Sequence, residues 1–392
     1  MSGGGSYAPG APREPYEFVT TYLEKVLTGM LACPTGRAFR GIGQQYSHAV
    51  GRRRTDRAGR VHAGNPSADQ REQPVTSSPP EESAGGEPAD TQPIELPEAE
   101  RPARPLEVAV FTGPESAFFA TSTLILGERT AILVDAQLTR SAGRELAEWV
   151  AGKGRRLLAV VVTHQHPDHY FGAEEVLRLF PDAQLLAAPA VVEGIRRTVA
   201  AKVAQWKPVY GDDIPDHPLI PAPLLPQPLM LDRQVIPVLL LGQADCGDST
   251  VVHVPSIRTV IAGDFVHNGT HPWTADTTPA QRTTWGHNLG RIADLGADRV
   301  IAGHRAPDQG DDAARVLAFT GEYLQDFDRL LAAHPDDPEA LVTAMNERYG
   351  ELTLPSFLEL GAAANTARAA EAARSGAEEG PEPAEDGGAA AQ

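Results

Sequence analysis

The chain predicts an α/β domain at residues 106–335, between two flanks of different composition. Short runs of branched apolar residues, which are typical of buried strands, alternate there with longer segments of helical period. Histidine and aspartate follow several of the strand segments directly, so polar side chains would collect where strands end. Hydrophobic residues make up 41% of the chain and are concentrated after residue 105, which indicates one folded body rather than several.

The predicted strands share a short apolar run and a boundary of turn-forming residues. They are Leu106–Phe111, Ser122–Leu126, Thr130–Val134, Leu157–Val162, Leu185–Ala187, Val235–Leu241, Val251–Val254, Arg258–Ala262 and Arg299–Ala302. Pro237 marks its segment as an edge strand or a bulge, because proline cannot donate a hydrogen bond to a neighbouring strand.

The predicted helices show apolar residues three or four positions apart. They are a helix with Ser141 as its N-cap that ends at Gly152 or Gly154, Ala173–Phe180, Ala190–Trp206, Asp311–Ala333 and Asp337–Tyr349. Seven prolines stand between residues 207 and 229. That density excludes regular structure and predicts an irregular loop. The loop either forms a wall or lid of the substrate site or only crosses the surface of the domain.

The flanks have the composition of chains that do not fold alone. Residues 1–105 are predicted to be largely disordered, with a short amphipathic helix at 16–31; residues 63–105 contain no aromatic residue. After the domain, residues 336–360 are predicted as a helical extension. Residues 361–392 are rich in alanine, glutamate and glycine and are predicted as a disordered acidic tail.

The net charge and the cysteine content argue against several classes of protein. The net charge of −18 argues against a nucleic-acid partner or an anionic membrane surface. No apolar run approaches the ~20 residues that a membrane-spanning helix needs. The two cysteines, Cys33 and Cys246, are too few for a disulfide framework and fit a reducing compartment. We therefore expect a cytoplasmic protein with a small-molecule substrate, and the oligomeric state stays open.

The segment from His164 to His169 carries the strongest chemical signal of the chain. Three imidazoles and a carboxylate, those of His164, His166, His169 and Asp168, fall within six residues directly after a predicted buried strand. In an extended chain His164 and His166 project to the same side, so their nitrogens can converge on one cation. This mix of imidazole and carboxylate is favoured by zinc, and the pattern predicts a metal site.

The segment Thr163-His164-Gln165-His166-Pro167-Asp168-His169-Tyr170-Phe171-Gly172 resembles the signature of the metallo-β-lactamase superfamily, T-H-x-H-x-D-H-x-G-G. The resemblance extends from about residue 106 to about residue 310. It implies a four-layer αββα sandwich with one or two metal ions at one edge. In that pattern His164 and His166 belong to the first metal position, and Asp264 bridges to the second. Three further residues would complete the second position: Asp168, His169 and His304.

The resemblance also implies a supporting residue and contains one departure. A buried aspartate at the place of Asp135 would hold the metal-bearing loops through hydrogen bonds. The family usually has histidine after glycine where this chain has Gly242-Gln243. Because an amide oxygen is a poor zinc ligand, three outcomes stay open. Gln243 ligates weakly, Asp245 or Cys246 replaces it as the ligand, or only the second position binds its ion tightly. His253 is a less favoured replacement for the missing histidine ligand.

The implied activity is metal-assisted hydrolysis, with Asp168 orienting the attacking water and moving protons. Esters, thioesters, lactones, lactams and phosphodiesters are all candidate substrates. Zinc is the expected metal, as one or two ions, with iron or manganese as the other candidates. Two alternatives remain: an iron-dependent enzyme resembling sulfur dioxygenases, and a non-catalytic metal-binding scaffold. Four side chains near the predicted ligands are candidate substrate contacts, although ordinary packing would also explain them: Tyr170, Asn268, His271 and Trp273.

Overall fold

The computed structural model describes residues 104–378. The helix predicted at 16–31, the disorder predicted for the rest of the N-terminal flank and the end of the acidic tail lie outside the described residues.

The larger sheet has six strands in the order β1-β2-β3-β4-β5-β6. They are β1 (Glu107–Thr112), β2 (Thr121–Leu126), β3 (Thr130–Val134), β4 (Arg156–Val162), β5 (Gln184–Ala187) and β6 (Ala222–Pro223). The first three strands pair antiparallel, and β3 to β6 pair parallel. The parallel strands therefore present their carboxyl ends at one edge, where the loop after β4 carries His164 to His169.

The smaller sheet has four strands in the order β12-β11-β10-β9. They are β9 (Val238–Gly242), β10 (Ser249–Val254), β11 (Thr259–Asn268) and β12 (Arg299–Arg305), and a separate hairpin joins β7 (Leu229–Leu231) to β8 (Gln234–Ile236). The segment predicted as one strand at 235–241 is thus divided at Pro237, and β9 is an edge strand. This outcome follows from the missing amide hydrogen of proline.

The seven helices of the described part are α1 (Arg140–Ala151), α2 (Ala173–Leu179), α3 (Pro189–Tyr210), α4 (Pro279–Ala293), α5 (Ala313–Ala333), α6 (Pro338–Tyr349) and α7 (Pro355–Glu378). Within residues 104–378 none of them is long and apolar enough to cross a membrane. Three differ from the sequence prediction. The predicted loop from residue 207 begins with the last turn of α3, α4 was not predicted at all, and α7 runs past residue 360, where the predicted helical extension ends.

The side chains of each strand alternate between the two faces of its sheet, and their contacts show which layers lie on either side. Ile132 and Val134 of β3 pack with Val252 and Val254 of β10 between the two sheets. Leu133 points the other way and packs under α1 to α3. On the far side of the smaller sheet, a separate apolar cluster includes side chains of β10, β11, β12, α4 and α5. The period of two along each strand thus gives an αββα sandwich of four layers, which confirms the predicted fold.

The C-terminal helices add to this sandwich. Tyr323 of α5, Met345 of α6 and Leu358 of α7 share one buried cluster. The prediction of disorder from residue 361 is wrong as far as residue 378, because α7 continues through this range and buries Ala362 and Asn365. Alanine is the best helix former, so the alanine-rich composition supports a helix once one face packs.

Candidate metal centre

The ligand candidates are positioned by the ends and irregularities of strands. His164 and His166 follow β4 in an extended loop, and a short 3₁₀ turn, Pro167–His169, brings Asp168 and His169 back to the same edge. Asp264 lies in β11, where the pairing with β12 shifts register. A Cβ on Gly303 would stand 1.9 Å from Oδ1 of Asp264, so only glycine leaves room for that carboxylate.

Asp264, His169, Asp168 and His304 form the group predicted for the second metal position. Nε2 of His169 lies 3.3 Å from Oδ1 of Asp264 and 3.7 Å from Oδ2 of Asp168. Nε2 of His304 lies 3.1 Å from Oδ2 of Asp264 and 3.3 Å from Oδ2 of Asp168. Residues from three distant parts of the chain therefore converge with their ligand atoms facing one another.

The first position contains His164, His166 and a carboxylate. Nε2 of His164 lies 3.6 Å from Oδ2 of Asp264, which connects the two positions. The other carboxylate belongs to Asp245: its Oδ2 lies 2.7 Å from Nδ1 of His166 and 3.9 Å from Nε2 of His164. Of the alternatives that the sequence left open, the structure brings Asp245 to the two histidines.

Gln243 has other partners. Its Nε2 donates to the carbonyl oxygen of Ala244, and its Oε1 accepts a hydrogen bond from Gln281. Cys246 is buried beside the same group, with Sγ 3.6 Å from Oγ of Ser249. Burial raises the pKa of the Cys246 thiol well above its ordinary value, which favours the protonated form.

Each of the four histidines has an acceptor on the nitrogen that faces away from the cluster. Nδ1 of His169 lies 2.8 Å from Oδ2 of Asp135, and Nδ1 of His304 lies 2.7 Å from the carbonyl oxygen of Phe118. Nδ1 of His164 lies 3.0 Å from Oγ1 of Thr163, whose own proton goes to Asp135. A proton on each outer nitrogen leaves the inner nitrogen of a neutral imidazole as a bare lone pair.

In His166 the two ring nitrogens exchange roles, so that Nε2 faces away from the cluster and Nδ1 faces into it. Its Nε2 lies 3.3 Å from Oδ2 of Asp276, so Nδ1 is the nitrogen that faces Asp245. Burial alone would lower the pKa of His166, but Asp245 and Asp276 outweigh it and raise the pKa to about 10. A proton or a cation is therefore held between Nδ1 and Asp245.

The buried atoms fit a cation. Within residues 104–378, Nε2 of His164, Nε2 of His169 and Oδ1 of Asp264 have no hydrogen-bond partner. All three residues are at most 2% exposed, and buried polar atoms are costly when unpaired. Lone pairs that face one another with carboxylates between them are the arrangement that a divalent metal requires of its ligands.

Asp135 fixes the orientation of this cluster. Its backbone has a φ of +63°, and its carboxylate accepts hydrogen bonds from the amide and the hydroxyl of Thr163 besides that of His169. Burial would lower the pKa of His169, but Asp264 and Asp135 raise it well above its ordinary value. The supporting role implied for Asp135 agrees with these hydrogen bonds.

Replacing Asp135 by alanine is expected to weaken metal binding about 10- to 100-fold, the range for partners that orient a ligand without touching the metal. The reason is that His169 loses the acceptor that selects its tautomer. Competition with a chromophoric chelator measures the dissociation constant. Asp182→Ala, on an exposed turn, is the matched control. Equal affinity in both variants would contradict the role of Asp135.

The sequence analysis did not single out His267 and Asp276. The ring of His267 stacks on that of His304, with centroids 5.3 Å apart and planes at 9°. Burial lowers the pKa of His267 to about 3, so the ring is neutral. Asp276 accepts a hydrogen bond from Nε1 of Trp273 and lies 3.8 Å from Nζ of Lys202. Neither residue belongs to a recognisable motif, and only the fold brings them to the site.

The predicted substrate contacts separate into two groups. Tyr170, Asn268 and His271 are buried, and the latter two are bonded within the fold, to the Gly310 carbonyl and to the Tyr323 hydroxyl. Trp273 is half-buried and contacts one neighbour of each metal position: it donates to Asp276, which bonds His166, and packs on Phe357, whose ring is 5.4 Å from that of His304. Packing therefore accounts for three of the four residues.

A match to a known family model agrees with this description. Residues 116–304 match the family model described as the metallo-beta-lactamase superfamily. A solved metallo-beta-lactamase family protein from Thermus thermophilus is 21% identical, with 69% of this chain and 94% of that chain covered and a TM-score of 0.49. A beta-lactamase domain protein from Burkholderia ambifaria is 18% identical, with 71% and 88% covered and a TM-score of 0.48.

A short match concerns a different kind of protein. Thirty residues are 67% identical to an FMN-dependent NADH:quinone oxidoreductase from Streptomyces avermitilis, which is 8% of this chain and 14% of that protein. The chain thus spans about one seventh of that relative, and the match says nothing about the domain. The family model covers the segment that carries five of the six predicted ligands and ends on the sixth, His304, inside an αββα sandwich. The domain that contains residues 116–304 therefore belongs to the metallo-β-lactamase superfamily.

Proposed function

We propose that this protein is a metal-dependent hydrolase that holds one or two divalent cations, with zinc as the expected metal, and acts on a small-molecule substrate. The supporting observation is the orientation of four buried imidazoles, each with its outer nitrogen bonded and its inner nitrogen facing a carboxylate. A divalent cation supplies Lewis acidity, which polarises a carbonyl or phosphoryl group and lowers the pKa of water.

Asp168 is the residue we assign to proton movement. Its side chain is 11% exposed, whereas those of Asp264 and Asp245 are 2% and 0% exposed. Asp168 is therefore the carboxylate that an entering water molecule can reach. An oxygen of Asp168 next to His169 and His304 would accept a hydrogen bond from that water, orient it, and take up its proton as the attack proceeds.

A row of aromatic rings begins beside His304, and we assign it to an apolar group of the substrate; it is called the aromatic wall below. It comprises Trp206, Phe118, Phe357 and Trp273, with successive ring centroids 5.0 to 5.4 Å apart. Phe357 comes from α7, and Trp206 comes from α3. Such rings bury an apolar group while the polar edge of the site contacts the reacting bond. Esters, thioesters, lactones, lactams and phosphodiesters remain the candidate classes.

Trp273→Ala is expected to raise KM about tenfold and to change kcat by less than about threefold, because the ring would hold substrate in the ground state and the transition state alike. Steady-state kinetics on the best substrate of a panel tests this. Trp149→Ala, which removes a half-buried ring on α1, is the control. An unchanged KM, or the same rise in the control, would speak against the wall as a substrate surface.

The proposed function itself is tested with a substrate panel of the five classes, on protein with a measured metal content, with and without chelator. We expect turnover on at least one class, its loss with chelator, its return on adding zinc, and its absence from His169→Ala. Absence of turnover on every class with metal bound would overturn the proposal, and so would turnover that survives in His169→Ala.

One observation favours a second candidate. The cluster contains three carboxylates, those of Asp168, Asp245 and Asp264, and carboxylate suits iron and manganese better than it suits softer metals. Iron-dependent oxygen chemistry on a sulfur substrate is therefore the alternative. Oxygen consumption by the iron-loaded protein with a persulfide substrate distinguishes it from hydrolysis, which consumes none.

A further inference from the structure

We infer that Asp245 is a metal ligand and completes the first position with His164 and His166, in the place where the superfamily pattern led us to expect a residue at 243. The inference rests on the proposed metal-dependent function, which it makes more specific. The first position would then be a set of two imidazoles and one carboxylate that takes a divalent first-row cation.

The burial of Asp245 is the first argument. The residue is 0% exposed, and among the described residues its Oδ1 has no hydrogen-bond partner. A buried carboxylate is so unfavourable that proteins normally pair it, protonate it or bind a metal to it, and the contact with His166 engages only Oδ2 of Asp245. Among the described residues, the ion-pair partners of Asp245 are the imidazoles of His166 and His164, and the thiol of Cys246 belongs to the same group.

The tautomer of His166 is the second argument. Asp276 accepts a proton from Nε2, so in a neutral ring Nδ1 presents a lone pair to Oδ2 of Asp245 at 2.7 Å. At that separation a single positive charge, carried by a proton or by a metal ion, can be shared by both atoms. The same charge would be shared with Nε2 of His164, 3.9 Å from that carboxylate oxygen.

The loop that carries Asp245 is fixed, which is the third argument. The amide of Ala244 donates to the carbonyl oxygen of Cys246, and Asn288 of α4 donates to the carbonyl oxygen of Gln243. The turn between β9 and β10 therefore directs residue 245 inward and leaves the side chain of residue 243 on Gln281. A ligand held this way is ordered before the metal arrives.

Cys246 is the competing ligand, because its Sγ belongs to the same group. A thiol binds metal as the thiolate, and Sγ of Cys246 lies 3.6 Å from the Ser249 hydroxyl, which gives it a hydrogen-bond partner within its own turn. Cobalt(II) makes the two outcomes visible, because a cobalt–thiolate bond gives an intense near-ultraviolet charge-transfer band that imidazole and carboxylate do not give.

The test uses the full chain, stripped by chelator and reloaded with zinc or cobalt, with metal per chain measured by mass spectrometry and cobalt(II) absorption. We expect two ions per chain in the parent, one in Asp245→Asn, two in Gln243→Ala, and two in Asp245→His, which restores a ligand. Cys246→Ser should keep two ions, and the charge-transfer band should be missing from every sample. Circular dichroism in chelator confirms that each variant is folded.

Several results would overturn the inference: two ions in Asp245→Asn with unchanged affinity, a loss of one ion in Gln243→Ala, a thiolate band that disappears in Cys246→Ser, or only one ion in the parent. Because no substrate is present, the outcome is independent of turnover. A protein that binds two ions through Asp245 and hydrolyses nothing would disprove the proposed function and leave the ligand assignment intact.

Discussion

Asp264→Ala is expected to remove metal from both positions and to lower hydrolysis at least about 1,000-fold. Its carboxylate faces His164 with one oxygen and His169 with the other, at 3.6 and 3.3 Å, so both positions lose a ligand together. Loss of the Lewis acid forfeits several kcal/mol of transition-state stabilisation, and each 1.4 kcal/mol corresponds to about tenfold in rate. Metal content and kcat/KM on the same preparation test the prediction.

Asp168→Ala provides the comparison. Its carboxylate lies against His169 and His304 only, so this variant should lose the second ion and keep the first. The two variants together distinguish a bridging carboxylate from one that serves a single position. Equal stoichiometry in both would show that Asp264 does not connect the two positions.

Arg282→Met is expected to lower the free energy of unfolding by about 3 kcal/mol, the lower end of the range for breaking a buried ion pair. The guanidinium is buried and donates to Asp328 of α5, to the Thr277 carbonyl and to Asn365 of α7. Methionine keeps the volume of the side chain but removes the donor to Asp328 and Asn365, whereas the Thr277 carbonyl keeps its hydrogen bond from Arg368. The side chain of Asp328 is 27% exposed, which moderates the cost.

Denaturant unfolding in chelator measures this effect, and an unchanged m-value would show that only stability has altered. Arg329→Met is the control, because Arg329 also pairs with an aspartate but its side chain is 66% exposed. A difference of less than about 1 kcal/mol between the two variants would contradict the prediction, since exposed pairs contribute about that much or less.

The sequence predicted the parts of this molecule that local pattern controls. Short apolar runs bounded by turn-forming residues predicted most of the strands, and the spacing from His164 to His169 predicted the central ligands. The helix α4 was missed although Thr278 and Gln281 form a capping box beside Pro279, because few of its residues are strongly apolar. Its core contact is made chiefly by Trp285, Leu289 and Ile292, which a short window does not distinguish from a loop.

The choice between residues 243 and 245 lay beyond sequence reasoning for a different reason. Spacing along a chain says which residue follows a strand, but the conformation of the turn decides which side chain faces inward. Here that conformation depends on Asn288, 45 positions away, which bonds the Gln243 carbonyl. The roles of Asp276 and Phe357 likewise follow from tertiary contacts. No local rule links them to His166 or His304.

The ligand candidates come from the edges of both sheets: His164 to His169 follow the larger sheet, whereas Asp264 and His304 lie in the smaller one. An ion bound among them would therefore link the two sheets and stabilise their packing against each other. At a free concentration of 1,000 times its dissociation constant, a single ion adds about 4 kcal/mol to folding. The lifetime of the protein in a cell would then follow metal supply, because proteases remove the unfolded chains that a shortage of metal produces.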